Sequence, residues 1–136
     1  IWHLHGFDRA LRRAYEGGTV LAGLSAGSIC WFQSGVTDSY GPALRGMRCL
    51  GFLEGSHCPH YDGEVTRRPA YHQLLQEGMP AGIAADDGVG LHYIDGELHR
   101  VIASRPEARA YRVFLSGGEV AEEPIVPELL TEKGAA

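Results

Sequence analysis

The sequence predicts an α/β domain with a mostly parallel sheet, and two features lead to that prediction. The apolar run at residues 19–23 is rich in β-forming residues and leads directly into Gly23-Leu24-Ser25-Ala26-Gly27, after which apolar residues return at helical spacing. A strand, a sharp turn and a helix around Gly-x-Ser-x-Gly form the pattern of a nucleophile elbow. Such an elbow belongs to an interior strand of a mostly parallel sheet.

The other elements are predicted from periodicity and turn residues. Ahead of the elbow, a helix is expected over Phe7–Glu16, where apolar positions share a face that covers one side of the sheet. Residues 33–48 are rich in glycine and predict a long loop with a short strand at 35–37. Further elements are a strand or turn at 49–53, a strand at 55–60, a helix at 64–77, a strand at 82–84, a hairpin of Val89–Ile94 with 98–102 across Asp95-Gly96, and a strand at 110–115. The stretch from Glu122 onward is expected to be loosely ordered.

The composition limits the kind of protein and its partners. The 136 residues suffice for a single domain, which we expect to span residues 1–136. The net charge of −5 comes without a basic block, and no apolar run reaches membrane-spanning length, so neither nucleic acid nor a membrane is expected as a partner. Three irregularly spaced cysteines and no signal peptide are typical of a cytoplasmic protein with buried thiols.

Ser25 is the candidate nucleophile. A tight turn would leave its side chain exposed at the carboxyl edge of the sheet, where the following helix begins. The backbone N–H of Ala26 would then be placed to donate to an oxyanion. The alternative is an ordinary turn between a strand and a helix, in which the small residues only permit close packing.

A serine nucleophile needs a base, and His60 is the candidate among seven histidines. It follows a predicted strand and Pro59, on the sheet edge where Ser25 is expected. The acid that orients this base is open among Asp38, Asp62 and Asp87, each of which also fits a turn residue.

A metal site is the other chemistry considered for this region. His57, Cys58, His60 and Asp62 lie close together in the sequence, but their spacing matches no zinc pattern, and alternate residues of a strand face opposite sides. We expect no metal there.

Three motifs in fixed order carry a resemblance to a known family. They are Gly23-Leu24-Ser25-Ala26-Gly27, then Thr37-Asp38-Ser39, then Pro59-His60-Tyr61-Asp62, and the segments Thr66-Arg67, Gly82-Ile83-Ala84-Ala85-Asp86-Asp87-Gly88 and Tyr111-Arg112-Val113 fit as well. From about residue 7 to residue 120 the chain resembles the dipeptidase E, or aspartyl dipeptidase, family of serine peptidases. The resemblance implies a three-layer α/β/α fold similar to class I glutamine amidotransferases. It also implies cleavage of dipeptides with an N-terminal aspartate, without metal or other cofactor.

The resemblance also assigns roles to individual residues. It makes Ser25 the nucleophile, His60 the base and Asp38 the acid, while Asp62 occupies the place where related amidotransferases have a glutamate. Arg67 matches a position suited to bind the substrate carboxylate. Its rivals for that role are Arg68 and Arg45.

The family has an N-terminal half that adds strands and a second oxyanion donor. Nothing before Thr19 predicts another strand, so the sequence looks like the C-terminal portion of such a protein. We therefore expect that half to pair beside the elbow strand, in the same polypeptide or as a separate chain, with a homodimer as a further possible assembly.

Three other functions compete with the dipeptidase. A cyanophycinase-like hydrolase of β-aspartyl-arginine shares the elbow and the histidine. An α/β-hydrolase esterase has the same Ser–Asp–His order, but the 35 residues from Ser25 to His60 are too few for the elements that fold inserts there. A catalytically inactive, truncated scaffold domain is the alternative without enzymatic activity.

Overall fold

The computed structural model describes residues 2–130 and shows a mixed α/β fold in which strands predominate. Its helices are α1 (Trp2–His5), α2 (Phe7–Glu16), α3 (Ala26–Ile29) and α4 (Arg67–Gln76). Its strands are β1 (Phe32–Thr37), β2 (Arg45–Arg48), β3 (Leu53–Cys58), β4 (Gly82–Ala85), β5 (Val89–Ile94), β6 (Glu97–Ala103), β7 (Ala110–Ser116), β8 (Glu119–Ile125) and β9 (Glu128–Leu129).

The main sheet has six strands in the order β2-β1-β3-β4-β7-β8. Its three central strands, β1, β3 and β4, run parallel, whereas β2, β7 and β8 pair antiparallel with their neighbours. The sheet is therefore mixed, and the expectation of a mostly parallel sheet holds only for its centre. Parallel central strands matter for function because their carboxyl ends lie on one edge of the sheet.

The two faces of the main sheet are covered differently. Helix α4 packs on one face through Tyr71 and Leu75, against a core that includes Val36 and Val113. On the opposite face, Phe32 and its neighbours pack against the hairpin of β5 and β6, which belongs to a three-stranded sheet with β9. Within residues 2–130 the second covering layer is thus made of strands, which differs from the expected α/β/α layering.

Several predicted elements are confirmed, because their signals are local. Helix α2 has the predicted bounds, and its end is capped by the N–H groups of Gly17 and Gly18, which donate to the carbonyls of Arg13 and Tyr15. The hairpin turns at Asp95 and Gly96, whose φ values of 51° and 83° suit the tight turn predicted for Asp-Gly. None of the residues of α2 is buried, however, so this helix does not cover the sheet as expected.

The apolar run before Ser25 is not a strand in the structure. Residues 19–23 make no ladder, and α3 is a single turn that leads into β1. A strand is stable only when a neighbour pairs with its N–H and C=O groups, and no described residue pairs with those of residues 20–23. Val20 and Leu24 are consequently 89% and 90% exposed.

The expectation of a loosely ordered tail from Glu122 is wrong for the described part. Glu122 lies in β8 and binds the Arg68 guanidinium, the Tyr61 hydroxyl and His72 Nε2, the last at 2.6 Å. Partial burial opposes ionisation of Glu122, but these hydrogen bonds outweigh it and lower its pKa to about 2. The network ties β8 to α4. The remainder of the predicted tail, residues 131–136, lies outside the described part.

The described helices are all too short or too polar to cross a lipid bilayer.

Candidate active site

Three polar side chains form a continuous hydrogen-bonded line at the carboxyl edge of the parallel strands. His60 follows the end of β3, Asp87 follows the end of β4, and Ser25 lies directly before α3. The Ser25 hydroxyl lies 2.7 Å from His60 Nε2, and His60 Nδ1 lies 2.5 Å from Asp87 Oδ1. This order of hydroxyl, imidazole and carboxylate is the arrangement that activates a serine nucleophile.

The carboxylate fixes the protonation of the imidazole. An ionised carboxylate only accepts hydrogen bonds, so His60 Nδ1–H must donate to Asp87. In the neutral ring Nε2 then accepts from the Ser25 hydroxyl. His60 is therefore oriented as a base toward Ser25.

Ser25 is held in a strained backbone conformation, with φ 50° and ψ −117°. Such values cost roughly 1–3 kcal/mol for a residue with a side chain and recur at functional sites. The turn closes tightly, since a Cβ atom on Gly23 would lie 2.0 Å from the carbonyl oxygen of Gly27. Gly23 is therefore required by close approach, whereas a Cβ atom on Gly27 meets no described atom within 4 Å.

Helix α3 is anchored to the sheet beneath this turn. Ile29 is 1% exposed, and a Cβ atom on Gly35 in β1 would lie 2.6 Å from the Cβ atom of Ile29. The glycine in the strand thus lets the helix approach closely. The Ser28 hydroxyl donates to the Ser25 carbonyl at 2.6 Å and the Gly27 N–H donates to the Leu24 carbonyl at 2.7 Å, so the backbone on both sides of Ser25 is held.

The N–H of Ala26 is free to serve as an oxyanion donor. It is the first N–H of α3, and no residue of the described part accepts a hydrogen bond from it. It belongs to the residue after Ser25, which is where a nucleophile elbow would supply one donor.

The structure does not bring Asp38 to His60. Asp38 follows β1 and is exposed, while both ring nitrogens of His60 are already occupied by Ser25 and Asp87. The reason is topological, because β3 lies between β1 and β4 and its following loop can turn either way. A hydrogen bond from the Tyr61 N–H to the Ala85 carbonyl draws this loop toward β4, and so toward Asp87.

Asp62 supports Asp87 and does not contact His60 in a hydrogen bond. Its Oδ1 atom accepts from the Asp87 N–H at 2.8 Å, and its Oδ2 atom accepts from Arg105 at 2.6 Å. Slight burial opposes ionisation of Asp62, but these hydrogen bonds prevail and lower its pKa.

The three candidate arginines have different surroundings. Arg67 is 4% exposed, and its Nε and NH2 groups donate to Glu64 Oε2 at 2.9 and 2.8 Å. Arg68 binds Glu122 of β8, as described above, and Arg45 lies exposed at the start of β2. Arg67 is the candidate whose guanidinium also reaches β1, through a 3.4 Å contact with the Val36 carbonyl.

The ligand-rich segment near His60 does not gather into a metal site within residues 2–130. His57 is buried, stacks on Phe32 and donates from Nδ1 to the Ile83 carbonyl at 2.9 Å. Burial is the main cause that lowers the pKa of His57 to about 4, so it is neutral at pH 7. Burial likewise raises the pKa of the Cys58 thiol to about 12. Both residues are parts of the core.

The sequence matches a family of known proteins over most of its length. The family model described as "Peptidase family S51" matches residues 1–101. A relative from Bacillus subtilis (strain 168), described as "Uncharacterized peptidase YgaJ", is 53% identical over 126 residues. The alignment covers 92% of this chain and 54% of the relative, so the chain spans about half the length of the curated relative it matches. No solved structure matches the chain significantly.

Proposed function

The chain belongs to peptidase family S51, and from this premise we propose that it carries the catalytic half of a serine exopeptidase that releases N-terminal aspartate from dipeptides. The observation that supports the proposal most is the hydrogen-bonded line from Ser25 through His60 to Asp87. The aspartate preference rests on the resemblance to dipeptidase E.

The proposed reaction is acyl transfer in two halves. His60 Nε2 takes the hydroxyl proton of Ser25 as the oxygen attacks the scissile carbonyl carbon, and the Ala26 N–H donates to the resulting oxyanion. Protonated His60 then gives the proton to the leaving amine, which leaves an ester on Ser25. Water, deprotonated by His60, attacks this ester and releases the free aspartate and the serine. Asp87 holds the imidazole and stabilises its charged form.

Substrate profiling of the natural full-length protein tests this proposal. We expect hydrolysis of Asp-Leu to exceed that of Asn-Leu and of a β-aspartyl-arginine dipeptide. A preference for the β-aspartyl substrate would favour the cyanophycinase-like alternative. A protein that cleaves none of them and does not react with a serine-directed probe would support the scaffold alternative.

Arg67 is proposed to bind the side-chain carboxylate of the substrate aspartate. In the structure its guanidinium fork already holds the carboxylate of Glu64, which is partly exposed. A substrate carboxylate that displaces Glu64 would keep the buried cation paired, because one carboxylate replaces another.

We predict that Arg67→Ala raises the KM for Asp-X dipeptides and reduces the preference for Asp-X over Asn-X by about 2–5 kcal/mol, the size of a lost charged pair. Steady-state kinetics on both substrates measures this, with Arg68→Ala as the matched control. Because Arg67 is buried, its replacement can also disturb the fold, and Glu64→Gln serves as a milder variant. This change removes the carboxylate that competes with the substrate for Arg67, so it should lower the KM for Asp-X. An unchanged preference in Arg67→Ala would remove Arg67 from the substrate site.

A further part of the domain is proposed to pair with residues 19–24. Val20 and Leu24 are almost fully exposed, the backbone groups of residues 20–23 have no described partner, and the matched relative is about twice as long as the aligned segment. An added strand would satisfy these groups and cover the two apolar side chains.

We predict that the backbone amides of residues 20–23 are strongly protected from hydrogen exchange in the natural full-length protein. Exchange measured by mass spectrometry should show protection there comparable with that of the central strand β3. Exchange as fast as in an open loop would show that nothing pairs with this segment.

A further inference from the structure

Asp87 is held beside His60 by hydrogen bonds to its main chain. Its side chain is 50% exposed, and the residue lies in the short turn between β4 and β5. An exposed turn does not by itself hold a carboxylate within the tolerance that a catalytic hydrogen bond needs. Something else must fix Asp87 relative to His60.

Arg105 and Asp62 supply that fixation. The Nε and NH2 groups of Arg105 donate to the Asp87 carbonyl oxygen at 2.9 and 2.7 Å. The same NH2 group donates to Asp62, whose other oxygen accepts the Asp87 N–H. The two polar groups of the Asp87 main chain are thus held by a single charged pair.

The carboxylate of Asp87 lies close against Gly63. A Cβ atom on Gly63 would lie 2.3 Å from Asp87 Oδ2, so the carboxylate fits only because Gly63 has no side chain. Arg105 and Asp62 hold the backbone of Asp87, and the absence of a side chain at Gly63 leaves room for its carboxylate.

The neighbours of Asp87 are held independently of Arg105. Asp86 exchanges hydrogen bonds with the Arg109 backbone at 2.8 and 3.0 Å, and the Gly88 carbonyl accepts from the Ser104 N–H at 2.9 Å. Loss of the Arg105 side chain should therefore free Asp87 while the turn around it stays in place.

We propose that Arg105, acting with Asp62, is a positioning residue that holds Asp87 in register with His60. The proposal rests on the proposed function of Ser25, His60 and Asp87. It concerns a residue from the loop after β6 whose hydrogen bonds go to Asp87, Asp62 and Glu107 and not to His60. Arg105 orients the acid, the acid orients the base, and the base activates Ser25.

The test combines Arg105→Ala with Asp87→Asn in the natural full-length protein. The rate of Ser25 labelling by a fluorophosphonate should fall about 100-fold in Arg105→Ala, the effect of a displacement of about 1 Å at a catalytic group. In the Asp87→Asn background the same change should alter the rate by less than about threefold, because the acid it positions is already gone. Arg105→Lys, which keeps the charge but not the fork, should recover part of the rate.

Two further measurements separate positioning from folding. Arg100→Ala is the matched control, because Arg100 makes a similar exposed pair with Glu128 on the smaller sheet. Ser25 should be labelled at the normal rate in this variant. The downfield proton resonance of the His60 Nδ1–H reports the bond to Asp87 directly, and it should weaken in Arg105→Ala while the thermal unfolding midpoint changes little.

The outcomes are distinct. Equal losses of labelling rate in both backgrounds, or an unchanged His60 resonance in Arg105→Ala, would overturn the proposal and leave the proposed function intact. If the normal protein neither labels nor hydrolyses peptides, but its His60 resonance is lost in Arg105→Ala, the proposed function fails and the positioning role stands.

Discussion

Replacing Ser25 by alanine is expected to reduce peptide hydrolysis roughly a millionfold, the scale of the loss when the nucleophilic serine of subtilisin is removed. The physical reason is that His60 then has no hydroxyl to activate, so no acyl-enzyme can form. The fold should be preserved, because Ser25 is exposed and its side chain contacts only the imidazole in a hydrogen bond. Turnover of an Asp-X dipeptide by the natural full-length protein measures the effect.

The companion variants show whether Ser25 and His60 act as a unit. His60→Ala should cost nearly as much as Ser25→Ala, and the double variant little more than either. Ser39→Ala is the control, since Ser39 is exposed and bonds to Thr37, outside the line of Ser25 and His60. Additive free-energy losses in the double variant would contradict the proposed shared mechanism.

Asp87→Asn is expected to lower kcat about 10⁴-fold, as the equivalent change does in the serine protease triad. The amide can donate a hydrogen bond, which favours the imidazole tautomer with its proton on Nε2, and that tautomer cannot accept the proton of Ser25. KM should change far less, because Asp87 is not proposed to bind the substrate. Steady-state kinetics separates the two parameters.

Asp38→Asn is the matched control for this change. It makes the same substitution at the acid that the family resemblance favours, but in the structure Asp38 is exposed and His60 is occupied by Asp87. We expect it to leave kcat within about threefold of normal, in keeping with a surface substitution. A larger loss in Asp38→Asn than in Asp87→Asn would return the role to Asp38.

The pair of Ser25 and His60 was predictable because each carries a local signal. The glycines around Ser25 indicate a tight turn, and Gly23 indeed has no room for a side chain. Pro59-His60 marks a strand end, which a sheet with parallel strands brings to the edge near Ser25. The contact itself then follows from topology.

Which carboxylate bonds to His60 was not predictable from spacing, because Asp38, Asp62 and Asp87 all follow strand ends. The choice depends on which way the loop after β3 turns, and the Tyr61–Ala85 backbone bond, which forms only in the folded protein, decides that. Arg105 carries no signal at all in the sequence, since a loop arginine is ordinarily a solvated surface charge.

The fold shows the same division between local and long-range causes. Helix α2 and the Asp95-Gly96 hairpin were predicted because their end signals lie within a few residues of each element. Residues 19–23 have strand-like composition but no described neighbour to pair with. In contrast, β8 has charged residues that do not predict a strand, and pairing with β7 stabilises it. Strand formation in both cases depends on the partner more than on the segment.

Labelling with a fluorophosphonate, followed by identification of the modified peptide, tests the central claim most directly, because it does not depend on the choice of substrate. If His60 and Asp87 activate Ser25, the natural full-length protein should carry one adduct, located on Ser25, and His60→Ala should carry almost none. Absence of an adduct from the normal protein, or equal labelling of Ser25 in His60→Ala, would contradict the claim that this line of residues forms a serine peptidase site.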